Sequence, residues 1–459
     1  MPNRNHATPP VPHEAPAHAA PPGLAAHAGA HDAAGADATR PGVLLVAFHF
    51  PPQRGSSGIQ RTLKFAQHLP QLGWKPVVLS AHRRAYRNSS DDQMGDVPRD
   101  LVVQRAFALD SSRHLAFRGR YLRLMALPDR WISWLLGAVP AGIRLIRAHR
   151  PRAIWSTYPI PTAHLIGYLL QRWSGLPWIA DMRDPMTEEN TPENRMAWHA
   201  YRWVERLTVR NCTRLVFTTP GALALYRARY PELPAARFRL IENGYDEDDF
   251  VRATQHYDPA ARAEKGPLVL LHSGIIYPLE RDPTPMLAAL GELRREGLVD
   301  PGSLRVVLRA AVHEALLGRL IDEFGLHGLV ELAPPIPYRA ALAEMLDADG
   351  LLVMQAAHCN AQIPAKIYEY MRARRPILAL TDPAGDTAAT MRGAGMNTIA
   401  RLDDKDDIKA GIMRFVGLLR DGTAPLPPAN ASQLYSRRSR SAQLAALLDE
   451  VVAEHARQG

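Results

Sequence analysis

The chain has 459 residues, 46% of them hydrophobic and 22% charged, the balance of a folded globular protein too long for one core. Its two cysteines, Cys212 and Cys359, lie far apart without metal-ligand spacing, and no apolar run reaches the roughly eighteen residues of a membrane-spanning helix. A disulfide scaffold, a cysteine metal centre and an integral membrane protein are therefore set aside, and a reduced, intracellular protein of two domains is expected.

In chain order, residues 1–41 form an Ala/Pro/His-rich tail without the basic and apolar regions of a secretory signal. Such a segment buries too little surface to offset its ordering entropy, so disorder is expected, and its histidines lack a fixed metal spacing. A strand over Gly42–Phe48 leads through the loop His49-Phe-Pro-Pro-Gln-Arg-Gly-Ser-Ser-Gly58 into a helix over Ile59–Leu72. Gly55 and Gly58 let the backbone turn tightly and bring helix amides towards a ligand. The loop is neither Gly-x-Gly-x-x-Gly nor a P-loop, which weakens dinucleotide and nucleoside-triphosphate readings. A second strand follows at Pro76–Ser80.

Between Arg105 and Arg152 stand ten arginines against two acids, Asp110 and Asp129, nearly the whole excess behind the net charge of +9. Tyr121, Leu122, Leu124, Trp131, Trp134 and Leu135 are interleaved with them. Either this is a solvated helical face, or it rests on an anionic membrane surface or an acidic acceptor. No helix-turn-helix, zinc or RNA-binding motif supports a nucleic-acid partner.

Strands at Ala153–Thr157, Trp178–Asp181 and Leu215–Thr219 continue the series. Asp181-Met-Arg-Asp-Pro185 sits at a strand end, where Asp181, Arg183 and Asp184 could orient a sugar hydroxyl or stabilise charge at an anomeric carbon. An internal Arg–Asp pair that shapes the loop is the alternative. The pattern pauses at Asn243–Asp249 and restarts with strands at Leu268–His272, Arg305–Leu308, Gly350–Met354 and Ile377–Leu380. Alternating strands and helices imply parallel sheets covered on both faces, hence two doubly wound domains, 42–250 and 251–430, with a helical segment at 431–459 returning to the first. The ligand is expected in the cleft beyond the carboxyl ends of the strands.

Leu271-His-Ser-Gly274 with Arg281 suits a diphosphate, a glycine after a strand followed by a cation. The segment Gln362-Ile-Pro-Ala-Lys-Ile-Tyr-Glu-Tyr370 reads as a loop and a short helix opened by Pro364. Lys366 and Glu369 then share one face, fit for a diphosphate and ribose hydroxyls, or for nothing more than a surface ion pair. Ile363, Ile367 and Met371 form the stripe that packs on the sheet.

Together these pieces resemble the GT-B glycosyltransferases, in the branch near retaining family four that builds bacterial surface polysaccharides. The likeness spans about residues 42–440 and rests on the order of Phe50-Pro-Pro, Gln60-Arg-Thr-Leu-Lys-Phe65, Leu72-Gly-Trp-Lys-Pro-Val77, Gly175–Pro185, Glu242-Asn-Gly-Tyr-Asp246 and Ile363–Tyr370. It implies Gly55 or Gly58 against donor phosphate, Glu369 on the ribose, and Arg281 at the place where the family usually has the lysine that holds the diphosphate. It also implies a nucleotide-sugar donor, a lipid-linked or glycan acceptor, hexosyl transfer with retention, no metal cofactor, and work at the cytoplasmic membrane face. The sequence departs from the family at Ile275, where an arginine is usual; Lys366 or Arg61 is the expected compensation. It departs again at Ala361, where a carboxylate is usual, and the Asp181–Asp184 loop replaces a common histidine. A nucleotide-sugar 2-epimerase of the same fold and a catalytically silent subunit are the alternatives.

Overall fold

The alternation of apolar runs and helical patterns resolves into two parallel sheets. The computed structural model describes residues 40–54, 58–116, 118, 122–188, 192, 194–255, 266–429 and 435–458. Most of the expected disordered tail, through residue 39, and Gly55 lie outside the described residues.

The first sheet contains β1 (Gly42–Val46), β2 (Lys75–Ala81), β3 (Val102–Ala106), β4 (Ala153–Thr157), β5 (Trp178–Arg183), β6 (Arg214–Phe217) and β7 (Phe238–Leu240). Their order is β3-β2-β1-β4-β5-β6-β7. The second contains β8 (Leu268–Ser273), β9 (Leu304–Arg309), β10 (Val330–Ala333), β11 (Gly350–Gln355), β12 (Ile377–Thr381) and β13 (Ile399–Ala400), in the order β10-β9-β8-β11-β12-β13. Every pairing is parallel. Central strands such as β1, β4, β11 and β12 are buried along their whole length, as helices on both faces require. The four strands absent from the sequence reading, β3, β7, β10 and β13, are the four sheet edges.

One face of the first sheet is covered by the helices Trp134–His149 and Pro161–Ser174, whose Trp134, Ala138 and Ile166 pack with Leu44 and Val46. The other face carries the helices Gly58–His68 and Arg437–Gln458: Phe65, Leu444 and Leu448 meet Val43, Leu45 and Trp155. In the second sheet, Lys366–Ala373 lays Ile367 and Met371 on Val353 and Ile377. Its chain reverses at Arg374 (φ 52°), and Pro376 then bars any further helix. The helix Glu247–Thr254 straddles the expected boundary at 250/251. Its Phe250 and Ala253 join the second sheet's core, so the structural boundary lies before this helix.

The chain passes between the sheets twice, and the two passes lie side by side. Tyr245 N–H donates to Tyr435 O (3.1 Å), and Arg437 N–H donates to Tyr245 O (2.7 Å). Only glycine fits at Gly244, because a Cβ there would stand 2.3 Å from Tyr435 O. The helix Gly58–His68 clasps this crossing with buried charge. Arg61 pairs with Asp181 through two hydrogen bonds (2.7 and 2.9 Å) and donates to Ile241 O and Glu242 O. Lys64 bridges Asp246 and Asp249 at 3.0 and 2.9 Å, and His68 reaches Asp246 at 3.1 Å.

Candidate functional site

Loops at the carboxyl ends of β1, β5, β8, β9 and β11 line a cavity of ≈ 700 Å³ shared by the two domains. Such crevices are where open α/β sheets bind ligands.

On the first domain's side, the register between β5 and β6 shifts between Asp181 and Arg183. In a regular strand these two residues would share a face; an irregularity of this kind re-aims side chains. Arg183, with φ 56°, faces the cavity and donates to Tyr158 O at 3.3 Å. Burial lowers its pKa, while Asp184 and Asp181 act to raise it. Asp184, half-buried, also lines the cavity, and burial raises its carboxyl pKa against the pull of Arg183. His49 lies beside them; burial first and Arg183 second hold its pKa down to about 3, so the ring is neutral.

Asp181 does not line the cavity, which corrects its expected catalytic role. It is fully buried beneath the site, held by Arg61 and by the Thr157 hydroxyl at 2.7 Å. The internal Arg–Asp pair therefore exists, but its arginine is Arg61 rather than Arg183. By the same token Arg61 cannot replace the cation missing at Ile275, since its guanidinium is committed to Asp181 and two carbonyls.

The second domain brings Gly274, Arg281, Ile363, Lys366 and Glu369 to the opposite wall. Gly274 has φ 110°, and a Cβ there would lie 3.3 Å from Lys366 Nζ, so the side-chain nitrogen sits over the glycine turn. Lys366 Nζ donates to His272 Nε2 at 3.0 Å. Burial holds the Lys366 pKa well below the usual lysine range, with Arg281 adding to the effect and Glu369 opposing it. Arg281 donates to the Ile275 carbonyl at 2.6 Å and stacks 5.3 Å from the Tyr277 ring centre. The residue at the departing family position thus contributes through its backbone, by aiming Arg281. Glu369 accepts from the Tyr338 hydroxyl at 2.7 Å, and burial raises its pKa.

Lys366 and Glu369 share a helix face but do not pair with each other; each is held by a neutral group from another element. Pro364 lies just before the helix, which begins at Lys366, and its carbonyl accepts from Ile367 N–H. Gly58 opens its helix without reaching the cavity; Ile59 and Gln60, the next two residues, do line it. Sequence reasoning also passed over Tyr338, Glu280 and Arg437. Glu280 adjoins Arg281, but Tyr338 and Arg437 arrive from distant segments with no local signal.

The arginine-rich stretch divides. Trp134 is fully buried, and Trp131 and Leu135 pack against the core, so these aromatic members are structural. Arg105 bonds Pro51 O and Tyr86, Arg113 donates to Tyr86 O, and Arg130 stacks on Trp131. Tyr121 lies outside the described residues. Leu122 (71% exposed), Leu124 (72%) and Leu136 (72%) remain open to solvent. Among the described residues no helix is long and apolar enough to cross a membrane, and no three His, Cys, Asp or Glu side chains converge as a metal site.

Residues 57–244 match the family model described as Glycosyl transferase 4-like domain. Among solved structures, the sucrose-phosphate synthase of Thermosynechococcus elongatus is similar at TM-score 0.65 and 15% identity, covering 90% of this chain and 100% of that one. HepE of Anabaena, solved with UDP and glucose, is similar at TM-score 0.60 and 14% identity, covering 89% and 99%. The UDP-GlcNAc 2-epimerase of Neisseria meningitidis, bound to UDP-GlcNAc, follows at 0.54 and 12%, covering 89% and 100%. No curated protein matches the chain by sequence. The two Rossmann-like domains facing a cleft are the GT-B fold, and the chain resembles the GT-B glycosyltransferases.

Proposed function

We propose that the protein is a glycosyltransferase that moves a sugar from a nucleotide-sugar donor to a lipid-linked or glycan acceptor. The observation that carries this reading is the charge pattern of the cavity wall. Lys366 and Arg281 flank the Gly274 turn, and Glu369 stands one helical turn beyond Lys366. A diphosphate over Gly274 would meet Arg281 and would favour the protonated form of Lys366, which burial otherwise disfavours, and a ribose beside Glu369 would find a carboxylate to accept its hydroxyls. As the sugar–phosphate bond breaks, negative charge grows on the departing nucleotide, and fixed cations there lower the barrier. The family match of the first domain and the UDP and UDP-glucose bound by HepE support the same reading.

In this mechanism Asp184 and Arg183 contact the donor sugar or the acceptor hydroxyl from the first domain. His49 stays neutral beside them and, with its pKa held down to about 3, is not the proton acceptor. Leaving-group charge is met by the two cations, with no metal in the scheme. Hexosyl transfer with retention is the stereochemical form proposed, by analogy with the family. The exposed Leu122 and Leu124, on either side of Arg123, and Leu136 favour work on the anionic cytoplasmic face of a membrane.

A 2-epimerase is the second reading, favoured by structural neighbours of that activity. Incubation with a panel of labelled nucleotide sugars and lipid-linked acceptors separates the two. Transfer of label to an acceptor supports the proposal. An epimerised donor replaces it with the second reading, and binding without turnover identifies a silent subunit.

A further inference from the structure

Three candidates outside the roles assigned above stand out. Buried Glu205 gathers Thr187, Tyr226, Tyr230, Arg202 and Arg229 beneath the Asp184 loop, a network closed on itself. The amide of Gly221 donates to Asp386 at 2.7 Å between the domains, a contact that touches no cavity group. His272 differs from both, because it holds a residue of the proposed donor site directly.

His272 is fully buried at the end of β8, one residue before Ser273 and two before the Gly274 turn. Its Nδ1 lies 2.9 Å from the Leu352 carbonyl on β11. The Leu352 carbonyl can only accept, which puts the proton on Nδ1 and leaves a lone pair on Nε2 of the neutral ring; the Gly274 backbone adds a weaker contact to the ring. Burial, reinforced by Lys366 and Arg281, keeps this ring neutral. Lys366 Nζ meets that lone pair at 3.0 Å. Without it, a four-carbon side chain would be free to swing from the turn towards Glu369 on the same helix face.

We propose that His272 is a positioning residue: its Nε2 holds the Lys366 ammonium over Gly274, where the donor's diphosphate binds. A neutral acceptor orients the amine without cancelling its charge, whereas a carboxylate in the same place would compete with the phosphate. Two basic side chains then make up for the arginine absent at Ile275: Arg281, aimed by the Ile275 carbonyl, and Lys366, aimed by His272. It rests on the reading of the cavity as a nucleotide-sugar site.

Two conservative variants separate the ring's two hydrogen bonds. In His272→Asn the amide can still donate to Leu352 O but is too short to reach Lys366. In His272→Gln the oxygen can take the place of Nε2, while the bond to Leu352 is lost. Affinities of the full chain and both variants for UDP, GDP and ADP, and for the corresponding nucleosides, are measured by titration calorimetry. For the diphosphate that the parent binds, His272→Asn is expected to weaken affinity about tenfold, the scale of one charge-assisted hydrogen bond. Nucleoside affinity should hold, and His272→Gln should restore most of the diphosphate affinity. Equal diphosphate affinity in parent and His272→Asn overturns the inference. So does a loss in His272→Gln alone, or an equal loss for nucleoside and diphosphate, because both mark a structural role. Failure of the parent to bind any nucleoside diphosphate instead overturns the reading of the cavity.

Discussion

Two regions of this protein that enclose charged side chains treat charge in opposite ways. At the crossing between the domains, opposite charges meet directly: Arg61 with Asp181, and Lys64 with Asp246 and Asp249. Along the cavity wall, four ionisable groups are held by neutral ones: Lys366 by His272, Arg281 by the Ile275 carbonyl, Glu369 by Tyr338, Arg183 by the Tyr158 carbonyl. Paired charges satisfy each other and fix a geometry. Charges held by neutral partners are oriented yet retain their field for a ligand. Burial alone therefore does not mark a functional charge; the identity of its partner does.

Substitutions can break or sharpen this contrast. The largest effect on stability is expected from Arg61→Met, which strands the buried Asp181 carboxylate. Breaking a buried pair from one side costs about 3–5 kcal/mol. Chemical denaturation should show that loss, while the folded fraction keeps its nucleotide affinity. A stable Arg61→Met protein with impaired binding would move Arg61 into the site and erase the distinction.

Next is Arg281→Ala. Removing a cation that meets developing charge is expected to lower kcat about 10²- to 10³-fold, with little change in melting temperature. Steady-state kinetics alongside thermal unfolding tests this, and unchanged turnover would exclude Arg281 as the leaving-group cation.

Glu369→Ala should act on binding. Losing charged hydrogen bonds to ribose hydroxyls removes roughly 1.5–3 kcal/mol, about ten- to a hundredfold in donor affinity. A folded variant with parental affinity would leave Glu369 as a partner of Tyr338 only.

The smallest effect concerns the surface. Leu122→Glu with Leu124→Glu removes two exposed apolar groups and sets acids among the arginines. Each basic residue engaged at an anionic surface contributes on the order of 1 kcal/mol. Sedimentation with vesicles of phosphatidylserine and phosphatidylcholine should show weaker binding by the variant, and binding by the parent that fades as salt rises. Equal binding by both proteins would return this stretch to a solvated face.

Much of the fold is legible in the sequence because a strand buried on both faces must be continuously apolar. Gly42–Val46, Gly350–Met354 and Ile377–Leu380 show this without ambiguity. The edge strands escape for the converse reason. Val102-Val-Gln-Arg-Ala106 and Val330-Glu-Leu-Ala333 are half-exposed, carry polar residues and pair on one side only. Strand ends and glycine turns likewise announce a cleft, and Gly274, Arg281, Lys366 and Glu369 all come to it.

What only the tertiary structure decides is the partner of each charge. Asp181-Met-Arg-Asp184 reads as one constellation, yet the shift in register separates Asp181, locked to Arg61, from Arg183 and Asp184 in the cavity. Lys366 and Glu369 sit at ion-pair spacing, yet His272 and Tyr338 draw them apart. Local sequence fixes periodicity, and with it strands, helices and the faces they bury. Partners 94 or 120 residues away are chosen by how those elements pack, and a chain read in order does not contain that information until it folds.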